Sequence, residues 1–197
     1  MPPTVGEAGD GRFAVGWTPP QSAAARYHRG WFGTGRSDVI RHLVVSIDQY
    51  EELLPLAHGA ALSIAEVMAA ATAHVTLIVD DQYCDIVNVG DLAPGMVTYP
   101  EHQYYPLSDY PHTTKCLLSH HGYLSSEDSL AAAEYARLSP YEVPSSFMGV
   151  PIVAQGQVFG ELFLTRTKGQ PPYTHEDLEL VTDLATVMGG RIPAVVG

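Results

Sequence analysis

The stretch from Ser145 to Thr165 limits the fold more than any other: Ser-Ser-Phe-Met-Gly-Val-Pro-Ile-Val-Ala-Gln-Gly-Gln-Val-Phe-Gly-Glu-Leu-Phe-Leu-Thr. It reads as two apolar strands joined by a tight polar turn at Gly156. Met148, Val150 and Ile152 share one face of the first strand, and Val158, Leu162 and Leu164 share one face of the second. The opposite faces carry Phe147, Val153, Phe159 and Phe163, so neither side of the hairpin is polar. A strand open to water on one side alternates apolar and polar residues; a strand covered on both sides does not. The hairpin is therefore expected at the centre of a sheet with a layer on each face. One layer is a core, and the other is a second core or a ligand chamber.

The chain's 197 residues are enough for one domain with a full hydrophobic core plus extensions. A net charge of −12 with only ten Lys and Arg lacks the basic field that attracts nucleic acid or anionic membranes, so neither partner is expected. No apolar run is long enough to span a bilayer, and the N-terminus has no secretory pattern. Cys84 and Cys116 show no Cys-x-x-Cys spacing, so a reduced cytoplasmic setting is the expectation. No nucleotide-binding, zinc-protease or serine-hydrolase motif occurs, and the chain is not expected to be an enzyme.

Residues 1–36 are rich in Gly, Pro, Ala and Arg without periodicity and read as a flexible arm. Trp31 and Phe32 offer an alternative, an arm that docks. Val39, Ile40, Leu43, Val44, Ile47, Leu53 and Leu54 recur at helical spacing from a cap at Ser37 or Asp38, with Pro55 breaking the run. Ala61, Ile64, Ala65, Met68 and Ala71 mark a second helix. Residues 73–80 and 83–89 read as a strand hairpin turning at Asp80-Asp81-Gln82, and 97–105 as a third, less regular strand. Ser108 or Asp109 is placed to cap a short helix running to about Ser119, with Pro111 in its first turn. A brief strand at 122–126 follows, then a helix through Ala131–Leu138 capped by Ser125 or Ser126. After the hairpin, Thr174 and Asp177 form a variant capping box for the last helix, expected to end at Gly189-Gly190 and Pro193. Leu178, Val181, Ala185 and Met188 make its core stripe, and Leu180, Leu184 and Val187 a second line suited to a partner. This order predicts an α+β fold with an antiparallel sheet.

Ser146-Phe-Met-Gly-Val-Pro-Ile152, then Gly156, then Phe159-Gly-Glu-Leu-Phe-Leu164 resembles the hairpin of GAF domains, small-molecule sensing modules of signalling proteins. Tyr173-Thr-His-Glu-Asp177 is similar to the helix start that follows it in that family. The resemblance covers roughly 48–192, within a domain bounded at 37–192. It implies a GAF/PAS-like central antiparallel sheet of five or six strands. Terminal helices pack on one face, and short helices and loops close a pocket on the other. It also implies a pocket wall from residues 99–125 and pairing of two copies through the terminal helices.

On the helix after Asp109, the residues Asp109, His112, Cys116 and His120 fall on one stripe with Thr113 beside them. Three readings stay open: a solvated helix face, an organic-ligand pocket, or a metal site. The ligand-binding candidates are Tyr105, Ser108, Asp109, His112, Thr113, Cys116, Phe147 and Met148, with no catalytic or metal-ligating residue assigned. Ser108-Asp-Tyr-Pro111 is similar to a stretch of bilin-binding phytochrome GAF domains. Cys116, however, is followed by Leu117 rather than the histidine those domains carry, which disfavours covalent bilin. Residues 141–146 lack the histidine of haem-binding members, which disfavours haem, and the cyclic-nucleotide pattern is absent. The expectation is a cytosolic sensory domain binding an unidentified small molecule, with no output domain after residue 192. It would relay its signal through the terminal helices or to a downstream signalling protein. The alternatives are a GAF-like interaction scaffold without ligand, or a thiol-redox sensor using Cys116.

Overall fold

The computed structural model describes residues 35–196 apart from 102 and 140. The expected arm over 1–36, with Trp31 and Phe32, lies outside the described residues except at its end, where Arg36 is the first residue of a helix. The elements in chain order are α1 (Arg36–Ile47), α2 (Leu53–Val67), β1 (Thr72–Val79), β2 (Gln82–Gly90) and β3 (Tyr104–Pro106). A 3-10 turn follows at Leu107–Asp109. Then come α3 (Pro111–Leu118), β4 (Tyr123–Leu124), α4 (Ser129–Leu138), β5 (Ser146–Ala154), β6 (Gln157–Arg166) and α5 (His175–Val196). The strands form one six-stranded antiparallel sheet in the order β3-β2-β1-β6-β5-β4, the predicted α+β architecture.

The hairpin β5–β6 holds the middle of this sheet through its pairing with β1. Met148, Val150, Ile152, Leu162 and Leu164 are fully buried on the face covered by helices. There α5 packs on β5, α2 packs on β1 and β2, and α1 lies against both α2 and α5. Ala57, Ala60 and Ala61 give α2 a small-residue surface, which lets a helix approach the sheet closely. Leu184, from the line assigned to a partner, is only 1% exposed and faces α1 and α2 within the chain. Leu180 and Val187 of the same line are half-buried.

Several local expectations shift. Pro55 does not end a helix but sits in the first turn of α2, where its missing N–H has no intrahelical partner to lose. The last helix passes Gly189, Gly190 and Pro193 and runs to Val196. Gly189 is there for contact: a Cβ at this position would clash with the Val153 carbonyl of β5. The third strand shortens to Tyr104–Pro106, although Asn88 N–H donates to Thr98 O (2.8 Å) and Asp85 N–H to Gln103 O (3.2 Å), so the segment still flanks β2. Neither Ser125 nor Ser126 caps α4. Asp128 does, its Oδ1 accepting from Leu130 and Ala131 N–H at 3.1 and 3.0 Å. The Thr174–Asp177 box forms as read, with Asp177 N–H donating to Thr174 Oγ1 and Thr174 N–H to Asp177 Oδ2.

Candidate functional site

The sheet's second face is the floor of a cavity of about 620 Å³, roofed by α3, α4 and the chain between α4 and β5. Its floor carries mainly polar side chains set in register across adjacent strands. Thr72, His74 and Thr76 project from β1, between Asp85 and Asn88 on β2 and Glu161, Phe163 and Thr165 on β6. The alternation along β1 puts Ala73 and Val75 into the helix-packed core, so His74 and its neighbours face the chamber.

Asp85 reaches this face because of an irregularity. The register of β1 and β2 shifts between Val75 and Thr76: Val75 pairs with Val87, while Thr76 pairs with Asp85. Ile86 is the extra residue of this bulge. Strict alternation would have placed Asp85 on the core side with Val87 and Val89.

A hydrogen-bonded chain crosses the floor. Thr165 and Thr72 hydroxyls meet at 2.7 Å, Thr72 Oγ1 meets His74 Nε2 at 2.7 Å, and His74 Nδ1 meets Asn88 Oδ1 at 2.7 Å. Asn88 Nδ2 donates to Val97 O, which leaves Oδ1 as the acceptor for His74. Nδ1 of His74 therefore carries the proton and Nε2 accepts. Burial holds the imidazole below its usual pKa, in keeping with this neutral form. Beside it, Thr76 Oγ1 donates to Asp85 Oδ1 at 2.8 Å. Burial raises the Asp85 carboxyl, against this hydrogen bond.

Glu161 is the most deeply placed acid of the site. It is 8% exposed, and Tyr123 Oη donates to its Oε1 at 2.5 Å. Burial pushes its carboxyl up to about 7, with Asp85 adding to the rise and the Tyr123 hydrogen bond opposing it. Gly149 makes this pair feasible, because a Cβ there would overlap both Glu161 Oε1 and the Tyr123 hydroxyl. Aromatic rings complete the walls. Tyr135 of α4 stacks on Phe163 at 5.5 Å and lies 4.9 Å from Phe147; Tyr110 meets Tyr83 edge-on at 5.6 Å. Burial pushes the Tyr105 and Tyr110 hydroxyls up to about 12, so both stay protonated donors.

The roof is clamped by two acids of the α4 region. Glu134 accepts from His112 N–H (2.7 Å), Thr113 N–H (3.0 Å) and Thr113 Oγ1 (2.8 Å), so a residue of α4 caps α3. Neither Ser108 nor Asp109 does so; the N-cap position is Tyr110, with no side-chain cap. Asp128 caps α4 with one oxygen and receives His112 Nε2 at 2.7 Å on the other. Burial pushes the Asp128 carboxyl up, but the hydrogen bonds from His112 and Ala131 outweigh it and hold the group below its usual range.

Of the eight sequence candidates, Tyr105, Thr113 and Phe147 line the cavity. Met148 points to the opposite face, fully buried in the helix-packed core, because it neighbours Phe147 on a strand. Ser108 and Asp109 are exposed in the 3-10 turn, and Asp109 contributes its carbonyl to Arg137. His112 and Cys116 turn from the cavity toward Asp128. The three donor atoms lie within 4.8 Å of one another, with Cys116 Sγ 3.6 Å from His112 Nε2. His120 leaves the stripe, since α3 stops at Leu118 and His120 adopts a left-handed backbone with φ of 60°. Burial raises the Cys116 thiol, and Asp128 and Glu134 add to the rise. The residues missed from sequence are His74, Asp85, Tyr123 and Glu161. Their signal is polarity inside otherwise apolar strands: Thr-Ala-His-Val-Thr-Leu alternates over 72–77, and Glu161 is the lone charge of the hairpin up to Leu164.

The GAF domain family model matches residues 52–192. The chain belongs to the GAF domain family. Its fold is similar to the GAF domain of an Acinetobacter phosphoenolpyruvate-protein phosphotransferase (19% identity, TM-score 0.63, covering 80% of this chain and 92% of that one). It is also similar to residues 122 to 287 of a methyl-accepting chemotaxis protein (17%, TM-score 0.63, 78% and 96%). A third is the phycocyanobilin-bound GAF domain of a cyanobacterial phytochrome (13%, TM-score 0.63, 82% and 96%). No curated protein sequence matches the chain. These GAF neighbours belong to signalling proteins, and no helix among the described residues is long and apolar enough to cross a membrane.

Proposed function

We propose that this GAF domain is a cytosolic sensory module that binds a small organic molecule between the sheet and the α3–α4 roof. The observation that carries this reading is the cavity itself, about 620 Å³ and floored by polar side chains in the middle of a sheet. A scaffold with a filled core has no need to place His74, Asp85 and Glu161 where apolar packing would be more stable. The ligand is held without a covalent bond to Cys116, whose thiol faces His112 and Asp128 rather than the chamber. The raised thiol also weighs against the redox reading, because the thiolate is the reactive form.

The signal leaves through α5, which packs on the far side of β5, and through α1, which lies against α5 and α2. Two copies pair through this layer, where Val44 and Val45 of α1 stand exposed. A ligand that draws the roof toward the sheet shifts the population of helix arrangements only if it binds one of them better. Native mass spectrometry of the chain purified from its own host tests the binding step. A co-purifying molecule released on denaturation is expected. A chain that is empty, and that no fraction of a cell extract protects against thermal unfolding, would overturn the reading.

A further inference from the structure

We propose that the inner end of the cavity is a receptor for an organic cation, a flat amine or amidinium held by the Asp85 and Glu161 carboxylates beside the rings of Tyr83, Tyr110 and Phe163. This rests on the sensory reading above and names the chemistry of its ligand. Thr76 is the register partner of Asp85 on one side and of Glu161 on the other, so the two acids flank it on adjacent strands of one face. Their Cα atoms are thus about 10 Å apart, two strand spacings. Both side chains line the cavity. Neither forms a salt bridge among the described residues.

Glu161 adds an independent sign of a missing partner. The residue is more than nine-tenths buried, its Oε1 is held by Tyr123, and its Oε2, which no described residue hydrogen-bonds, opens on the chamber. A buried carboxylate is stable only when paired or hydrogen-bonded, and two in one chamber repel each other. The groups facing Glu161 do not supply a positive charge. They are Tyr123 of β4, Tyr83 and Asp85 of β2 and Tyr110 before α3, with neutral His74 on β1. The one lysine in the lining, Lys168, is exposed in the turn after β6. Aromatic faces add to the selection, since their π clouds attract cations and repel anions. An anionic ligand would meet two carboxylates, and the cation that acts on Tyr110, Arg137, is exposed outside the lining and tied to the Asp109 carbonyl. A neutral ligand would leave them uncompensated.

The full chain titrated by isothermal calorimetry with benzamidinium, benzamide and benzoate, three probes of one shape and three charges, separates the cases. At pH 8 benzamidinium is expected to bind and the other two not. Lowering the pH to 6 weakens benzamidinium about tenfold, because Glu161 then takes up a proton. Glu161→Gln and Asp85→Asn each weaken it about tenfold, and Glu161→Gln also removes the pH dependence. Circular dichroism checks that both variants fold, and the probe and pH series on the unaltered chain do not depend on them. Benzamide or benzoate binding as tightly as benzamidinium would overturn the inference while leaving a small-molecule cavity in place. Failure of all three to bind also overturns it, and a co-purified ligand in the native mass spectrum would still uphold the sensory reading.

Discussion

Gly149 determines whether Tyr123 and Glu161 can meet, and with them the deepest part of the chamber. Gly149→Ala pushes a methyl group into that hydrogen bond, in a place with little slack. A loss of about 1–3 kcal/mol is expected by urea unfolding, the range for overpacking a tight interior. Glu161 itself makes stability depend on pH. Its carboxyl titrates near 7 in the fold against 4.5 in the unfolded chain. Below the lower value both states are protonated. Between the two, the folded chain keeps a proton that the unfolded chain has lost, so stability falls as pH rises and levels off above about 7. Over the whole window the loss is about 3 kcal/mol. Glu161→Gln removes this contribution, so unfolding at pH 5 and pH 8 should show the parent losing more stability than the variant. Equal losses would mean that Glu161 is not held as a neutral acid.

At the scale of elements, capping separates what neighbouring residues can show from what they cannot. Thr174 and Asp177 stand three residues apart, and their box on α5 is legible and forms. The cap of α3 comes from Glu134, separated by 22 residues from His112, and no local pattern announces it. Ser108 and Asp109 were good local candidates, but the turn holding them points them to solvent. Glu134→Ala leaves the His112 and Thr113 amides without their acceptor. Losing a cap costs about 1–2 kcal/mol. Hydrogen exchange is the sharper measurement: amides of α3 should lose protection while those of β5 and β6 keep theirs. Uniform loss across the sheet would show that Glu134 supports the whole fold rather than the roof.

For the molecule as a whole, the sheet separates two layers with different tasks. The helix layer is packed to completion, with Leu56, Ile64, Leu162, Leu164 and Met188 fully buried, whereas the roof layer leaves a chamber. If ligand binding is relayed, deuterium uptake in α1 and α5 should change when the cavity is filled, although neither helix lines it. The proposed pairing through α1 makes a separate prediction. Val45→Asp should convert a dimer into a monomer in sedimentation velocity without lowering thermal stability, since Val45 is 69% exposed in the single chain. A parent chain that sediments as a monomer would remove that expectation.

The local sequence was enough to identify the central hairpin, its double-sided burial, the two strands before it and the family motif. Each of these is set by the character and spacing of residues a few positions apart. It was also enough to show that one of the two layers on the hairpin could be a chamber, with Phe147 and Met148 both candidates for its wall. Which side chains enter the chamber depended on tertiary structure. The bulge at Ile86 turned Asp85 inward, Gly149 opened the space for Tyr123 and Glu161, Glu134 tied α3 to α4 in the roof, and Asp128 took the His112 ring, with Cys116 beside it, away from the chamber. These placements depend on register and contact between segments far apart in the chain. Met148 and Phe147 are adjacent and equally apolar, and only the layers packed on either side of the sheet made one of them core and the other a wall of the site.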